Sequence, residues 1–319
     1  MEHGTFIISL DFELLWGLTG WTPKQISGYL AHIYGSLAAL DKILETFNRY
    51  DIKCTVACVG AMNCRSVEDM RQKIPARCPS YQEPLFSSYR SLLPEIGTRY
   101  EESLFFCREM LKKLSENPRV EMASHTFSHY YCMEFGQTVE EFEEDIRLAV
   151  EEMKEYGRPK TVIFPRNQVS EEYLAVCRKY GFTHYRGNPD DFLYRSNRTQ
   201  PRFSLKGALR LLDTYVPLSG HNCYVRDNPD GNVLRNVPGS RFFRSYSRHL
   251  SLLEPLRIHR VKSSMRYAAR KGLVYHLWWH PHNFGVNTEE NIKQLQDICL
   301  YYKRLQERYS YRSCFISEI

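Results

Sequence analysis

The chain has 319 residues, 43% of them apolar and 25% charged, and a formal net charge of +6. This is ordinary globular usage at a length that can bury a sizeable core, which excludes a disordered or fibrous chain. No apolar run approaches the roughly 20 residues that span a bilayer, and the first ten residues lack a basic stretch leading into a long apolar one. A cytoplasmic protein without a transmembrane segment is expected. The ten cysteines are scattered with no CxxC pair, and read as reduced core thiols rather than a disulfide framework. Much of the basic excess falls in 195–271, at Arg241, Arg244, Arg248, Arg257, Arg260, Lys262, Arg266, Arg270 and Lys271. Such a run is either a solvated helix face or an attraction to an anionic substrate, a phosphate-bearing sugar carrier or a membrane surface. No nucleic-acid-binding motif accompanies the charge, so nucleic acid is not expected as a partner.

In chain order, short apolar runs over 6–10, 54–59, 120–123 and 161–164 read as strands, separated by amphipathic segments. The clearest helix spans 138–156, where Val139, Phe142, Ile146, Ala149, Met153 and Tyr156 recur at spacings of three and four. Thr138 with Glu141 forms its capping box, and Gly157 followed by Pro159 its stop. Ser170 caps a further helix to 180, 182–185 reads as a strand, and 213–216 as a weaker one. The rhythm fails over 187–247, which is rich in Asn, Pro, Arg and Gly and is expected to form long irregular loops over one face. A helix near 248–271, a strand over 273–279, a helix over 288–308 and a short strand over 314–317 complete the chain. Seven or eight strands alternating with helices predict an α/β fold, a closed or partly closed barrel in a single domain over 1–319.

Four features carry chemistry. His125 and His129 stand four residues apart after a predicted strand; on a helical turn both rings would reach one metal, though an isolated H-x3-H is as readily a pair of solvated or capping histidines. Asp11 and Glu13 end the first strand, and carboxylates at i and i+2 project to one side of an extended chain, which suits a ligand beside a proton acceptor. Arg166 follows the strand over 161–164, and His280 and His282 follow the strand over 273–279. All four lie at the carboxyl ends of predicted strands, where a barrel opens on the face that holds active sites. Trp16, Trp278 and Trp279 could stack on a sugar ring, although core packing is the commoner fate of tryptophan.

On these residues the sequence resembles the polysaccharide deacetylases, carbohydrate esterase family 4, as a divergent member. The family's H-[ST]-x-x-H is matched by His125, Thr126 and His129, and residues 53–60 resemble its second strand and the glycine after it. The resemblance implies a distorted (β/α)7-type barrel, a divalent metal that is usually zinc, and hydrolysis of an acetamido group on a sugar. It implies Asp11 as catalytic base, Arg166 as the residue orienting it, and His280 as acid. Glu13, His125 and His129 would hold the metal, with Glu13 placed there from the i, i+2 geometry. The family's first motif has two consecutive Asp residues where this chain has Asp11-Phe12-Glu13, so exchanged roles for the two acids stay open. So does the choice between His280 and His282, and proline precedes Arg166 rather than following it. The expected substrate is an N-acetylated sugar, nucleotide-linked or lipid-linked, in surface polysaccharide biosynthesis. The alternatives are a barrel hydrolase of a non-sugar amide and a non-catalytic sugar-binding protein on the same scaffold.

Overall fold

A computed structural model describes residues 3–195, 205–226 and 233–319. The first strand, β1 (Thr5–Phe12), is buried along its whole length, as expected of a central parallel strand covered on both faces. It is flanked by β2 (Cys54–Cys58) and by β8 (Val274–Trp279). Beyond β2 follow β3 (Val120–Ser124), β4 (Thr161–Val162), β5 (His184–Tyr185) and β6 (Arg235–Asn236), and beyond β8 lies β7 (Arg241–Phe242). All these pairings are parallel, and β9 (Arg312–Cys314) adds a parallel contact to the first residues of β1.

The edges of this sheet show that it curls. β6 and β7 end the eight-strand path on opposite sides, yet only residues 237–240 join them, a link reaching about 18 Å at most. A flat sheet would set its edge strands about 34 Å apart. The sheet is therefore a strongly curved, nearly closed barrel, in agreement with the (β/α)7-type architecture predicted.

The period-2 alternation of β1 fixes what faces where. Phe6, Ile8, Leu10 and Phe12 pack outward into the main core, whereas Ile7 packs in the barrel with Ala57, Ala123, Ile163, Val237, Ile316 and Ile319. Ser9 and Asp11 share the inward face of Ile7. The outer layer includes α1 (Ser36–Tyr50), α2 (Arg108–Glu116), α3 (Val139–Met153), α4 (Glu171–Lys179), α5 (Leu205–Asp213), α6 (Glu254–Lys271) and α7 (Thr288–Tyr309). The Thr138–Glu141 capping box of α3 is present in both directions.

The region 187–247 is more ordered than its composition suggests. It contains α5, β6 and β7, while 196–204 and 227–232 lie outside the described residues. The expected strand over 213–216 is absent; Asp213 is instead the last residue of α5. Val216, in the expected strand, is largely exposed rather than part of the sheet.

Candidate metal centre and catalytic groups

Glu13 stands one residue past β1, and Gly17 makes room for it: a Cβ at Gly17 would lie 2.0 Å from its carboxylate. His125 stands one residue past β3, tied to β2 by its amide, which donates to the Cys58 carbonyl at 2.8 Å. The segment from His125 to His129 is a loop, not the helical turn expected from the spacing. Thr126 and His129 both adopt left-handed backbone (φ 64° and 61°), and these reversals turn the two rings together. Thr126 Oγ1 accepts from the Tyr130 amide at 2.8 Å. Buried Asp145, on α3, accepts from the amides of Phe127 (2.7 Å) and Ser128 (3.0 Å) and from the Ser128 hydroxyl. Burial pushes the Asp145 carboxyl up to about 6, although all three hydrogen bonds oppose the shift.

Glu13, His125 and His129 converge, with one ligand atom from each within 4.8 Å of the others and all three buried. Glu13 Oε2 lies 3.2 Å from His125 Nε2 and 3.0 Å from His129 Nε2. His125 Nδ1 faces the Ile163 carbonyl at 2.8 Å. A carbonyl only accepts, so Nδ1 carries a proton, and Nε2 is the atom turned toward the Glu13 carboxylate. Burial lowers His129 to about 4 against the pull of Glu13, so that ring is neutral at pH 7. Burial opposes ionisation of Glu13, but His280, His129 and the imidazole hydrogen bonds hold it well below the usual carboxylate range. Metal ligation requires a carboxylate and imidazole nitrogens, and one buried atom of each residue converges here, so these residues fit a divalent metal.

Asp11 is engaged differently. Arg186, one residue past β5 and fully buried, donates from Nη1 to Oδ1 at 2.6 Å and from Nη2 to Oδ2 at 2.7 Å. Burial alone would raise the Asp11 carboxyl; the guanidinium overrides it and keeps the group below its ordinary value. Arg186 also donates to Asn167 Oδ1 and to Ser9 Oγ, which lies 2.7 Å from His276 Nε2, and its guanidinium sits 4.2 Å from the Trp278 ring centre.

Arg166, expected to orient Asp11, engages other groups. It has left-handed backbone (φ 56°) in the turn after β4. Its guanidinium stacks 4.0 Å from the Tyr131 ring centre, donates to the Thr19 carbonyl at 3.2 Å and approaches Glu134 at 3.7 Å. Tyr131 in turn packs edge-on against His129. The guanidinium that reaches Asp11 belongs to Arg186, a residue the sequence reasoning missed. The signal was present, since Arg186 directly follows a predicted strand, as the other site residues do.

His280 follows β8 and is partly exposed. Its Nε2 lies 3.7 Å from both Asp11 Oδ2 and Glu13 Oε1, and Asn283 Oδ1 sits 3.3 Å from its Nδ1. His282 stacks beneath it at 4.9 Å, buried and lowered to about 3 by burial and by His280, with Nδ1 4.0 Å from Glu13. Of the tryptophans, Trp16 and Trp279 are fully buried core residues and do not face a ligand; Trp278 is partly exposed beside Arg186 and His280.

A curved parallel barrel thus carries a buried Glu-His-His cluster that could hold a metal ion, with a second carboxylate and an imidazole beside it. A profile of the polysaccharide deacetylases matches residues 34–185, the segment holding β2, β3, His125 and His129. The match supports a divergent member of the polysaccharide deacetylase family. No curated protein sequence matches it. Among solved structures, a protein from Mycobacterium smegmatis assigned as a polysaccharide deacetylase is similar (TM-score 0.57, 13% identity, 99% of this chain and 89% of that one). So are the allantoinase PuuE (0.56, 12%, 98% and 88%) and a protein from Pseudomonas aeruginosa PAO1 assigned as a polysaccharide deacetylase (0.53, 11%, 98% and 88%). At these identities the likeness is one of fold.

Proposed function

We propose that the protein is a zinc-dependent deacetylase that hydrolyses the acetamido group of an N-acetylated sugar. The observation that carries this reading is the convergence of Glu13, His125 and His129 beside the Asp11–Arg186 pair and His280. When bound, zinc would acidify a water molecule and polarise the acetamido carbonyl. The two acids are assigned by their partners. Glu13 shares one oxygen between two imidazoles, the disposition of a ligand, which supports the metal role. Asp11 has both oxygens aligned by Arg186 with Oδ2 toward His280, which supports the role of base. Arg186 keeps Asp11 ionised and fixed in orientation, ready to receive the proton of the attacking water. Amide cleavage also needs a proton delivered to the leaving nitrogen, and His280 is the partly open imidazole facing both carboxylates. His282, buried and held neutral, supports the His280 ring from below.

The substrate we favour is a cytoplasmic precursor of a surface polysaccharide, with the sugar on a nucleotide or lipid carrier. That all ten cysteines are free thiols supports a reducing compartment. The likeness to an allantoinase keeps a second reading, hydrolysis of a cyclic amide. Elemental analysis of the purified protein, with acetate release from a panel of N-acetyl sugar nucleotides, tests the first reading. Stoichiometric zinc that is lost in His129→Ala, together with acetate release, is expected. A protein that opens allantoin and releases no acetate would establish the second reading.

A further inference from the structure

Ser9 of β1 and His276 of β8 are fully buried, on the inward faces of their strands by alternation from Ile7 and Val274, which pack in the barrel. Polar side chains at such positions cost free energy unless their hydrogen bonds are met. Here they are met by each other and by Arg186: Ser9 Oγ lies 2.7 Å from His276 Nε2 and accepts from Arg186 Nη1 at 3.1 Å. Neither residue has a part in the chemistry proposed for the site.

The direction of every bond in this run is fixed. His276 Nδ1 faces the Pro238 carbonyl at 3.2 Å, and a carbonyl only accepts, so Nδ1 carries a proton. Burial and the charge of Arg186 lower His276 to about 3, so at neutral pH the ring is neutral and Nε2 carries none. The Ser9 hydroxyl therefore donates to Nε2, and its oxygen is left to accept from a guanidinium that can only donate. A guanidinium has five N–H groups, and each of those on Arg186 has an acceptor. Nη1 and Nη2 each give one to Asp11, Nε and Nη2 each give one to Asn167 Oδ1, and the last goes from Nη1 to Ser9. The edge that faces Asp11 is thus held by Asn167 on the Nη2 side and by Ser9 on the Nη1 side. Without His276 as acceptor, the Ser9 hydroxyl hydrogen is free to turn, and Ser9 is no longer committed to receiving Arg186.

We infer that Ser9 and His276 are positioning residues: they fix the Arg186 guanidinium, and through it the orientation in which the Asp11 carboxylate receives a proton. Their effect on the rate rests on the deacetylase reading, whereas their hold on Arg186 does not.

The test combines kinetics with side-chain NMR of the full-length protein. His276→Leu removes the acceptor at similar volume, and Ser9→Ala removes the hydroxyl. Each should lower kcat for acetate release by on the order of tenfold, as expected of a slightly misplaced catalytic group, with little change in KM and with zinc content as in wild type. The double variant should be no slower than the slower single one. His276→Gln, whose amide oxygen can accept in place of Nε2, should regain most of the rate. In nitrogen NMR of arginine-labelled protein, the Arg186 guanidinium, assigned by the loss of its signals in Arg186→Lys, should rotate several-fold faster in Ser9→Ala than in wild type. If His276→Leu does not fold, Ser9→Ala carries both measurements. Faster rotation in a protein whose wild type releases no acetate would reject the deacetylase reading and uphold this inference. Unchanged guanidinium rotation in Ser9→Ala, a wild-type kcat in that variant, zinc lost in step with the rate, or a His276→Gln enzyme as slow as His276→Leu would each overturn it.

Discussion

Arg186→Met is the substitution whose cost can be worked most directly from the structure. The guanidinium makes two short bonds to Asp11, 2.6 and 2.7 Å, with both groups buried. Removing one partner of a buried ion pair costs about 3–5 kcal/mol, chiefly because the remaining charge is stranded. For a chain of this size that corresponds to a fall in Tm of roughly 6–10 °C. Asp11→Asn in the Arg186→Met background removes the stranded charge, so the double variant should recover half or more of the loss. The remainder reflects Asn167 Oδ1 and Ser9 Oγ, which lose their guanidinium donor. The sign of the pH effect follows from the depressed Asp11 pKa. The pair stabilises fully above the unfolded-state value of about 4 and is lost as pH falls through the folded-state value. The gap between wild type and Arg186→Met should accordingly be full at neutral pH and narrow below about pH 4. Urea and thermal unfolding of the four proteins in this double-mutant cycle measure the coupling. If single and double variants are equally destabilised at neutral pH, Arg186 acts by packing on Trp278 and not by holding Asp11.

Asp145→Ala strips the acceptor from two buried amides and a hydroxyl, at about 1–3 kcal/mol for each donor left unpaired. Because those amides shape the His125–His129 loop, zinc affinity measured by chelator competition should fall with stability; unchanged affinity would mean the loop holds its shape without Asp145. His276, lowered by burial to about 3, is neutral in the fold and protonates near 6.5 when unfolded, so stability declines as pH drops below 6.5, by roughly 3 kcal/mol at pH 4. His276→Asn should flatten that acid slope in pH-dependent unfolding, and a slope equal to wild type would assign the acid lability to other buried histidines. His280→Ala should slow hydrolysis of an acetamide far more than of an acetate ester with a good leaving group, since such an alcohol departs without full protonation. Equal losses on both substrates would remove His280 from the role of acid.

The long strands and helices were legible because burial is periodic in them. β1, β2, β8 and α7 came out within a residue or two of their observed ends, and α3 within three. Over 187–247 the strands have only two residues each, too short for any periodicity. The amphipathic α5 turns its leucines to solvent, which inverts the usual inference from an apolar stripe to the core. At the site, position along the chain was the reliable signal: Asp11, Glu13, His125 and His280 do gather at the carboxyl ends of their strands. Side-chain direction was not legible. Arg166 and Arg186 both follow strands, and what separates them is a left-handed residue in the turn after β4, which no local composition announces. The H-x3-H spacing likewise suggested a helical turn, whereas two left-handed residues bring the rings together.

Backbone direction also bears on the two carboxylates of the first motif. Asp11 and Glu13 are two residues apart on one face, chemically near-identical, and either could in principle be ligand or base. Their surroundings make them unequal. For Asp11 to move to the imidazoles, it would have to leave a buried guanidinium that cannot lose its proton, stranding a charge at a cost of several kcal/mol. For Glu13 to turn away, it would leave both His125 and His129 while Gly17 still holds open the space for the longer side chain. Phe12 explains how the spacing works: it points outward into the core, so the chain skips one position and returns its next acid to the interior. The chain then turns at Leu14, with φ 45°. The length of Glu13, the glycine opposite it and this turn therefore belong together, and deleting Phe12 alone would shift Glu13 out of the space that Gly17 provides.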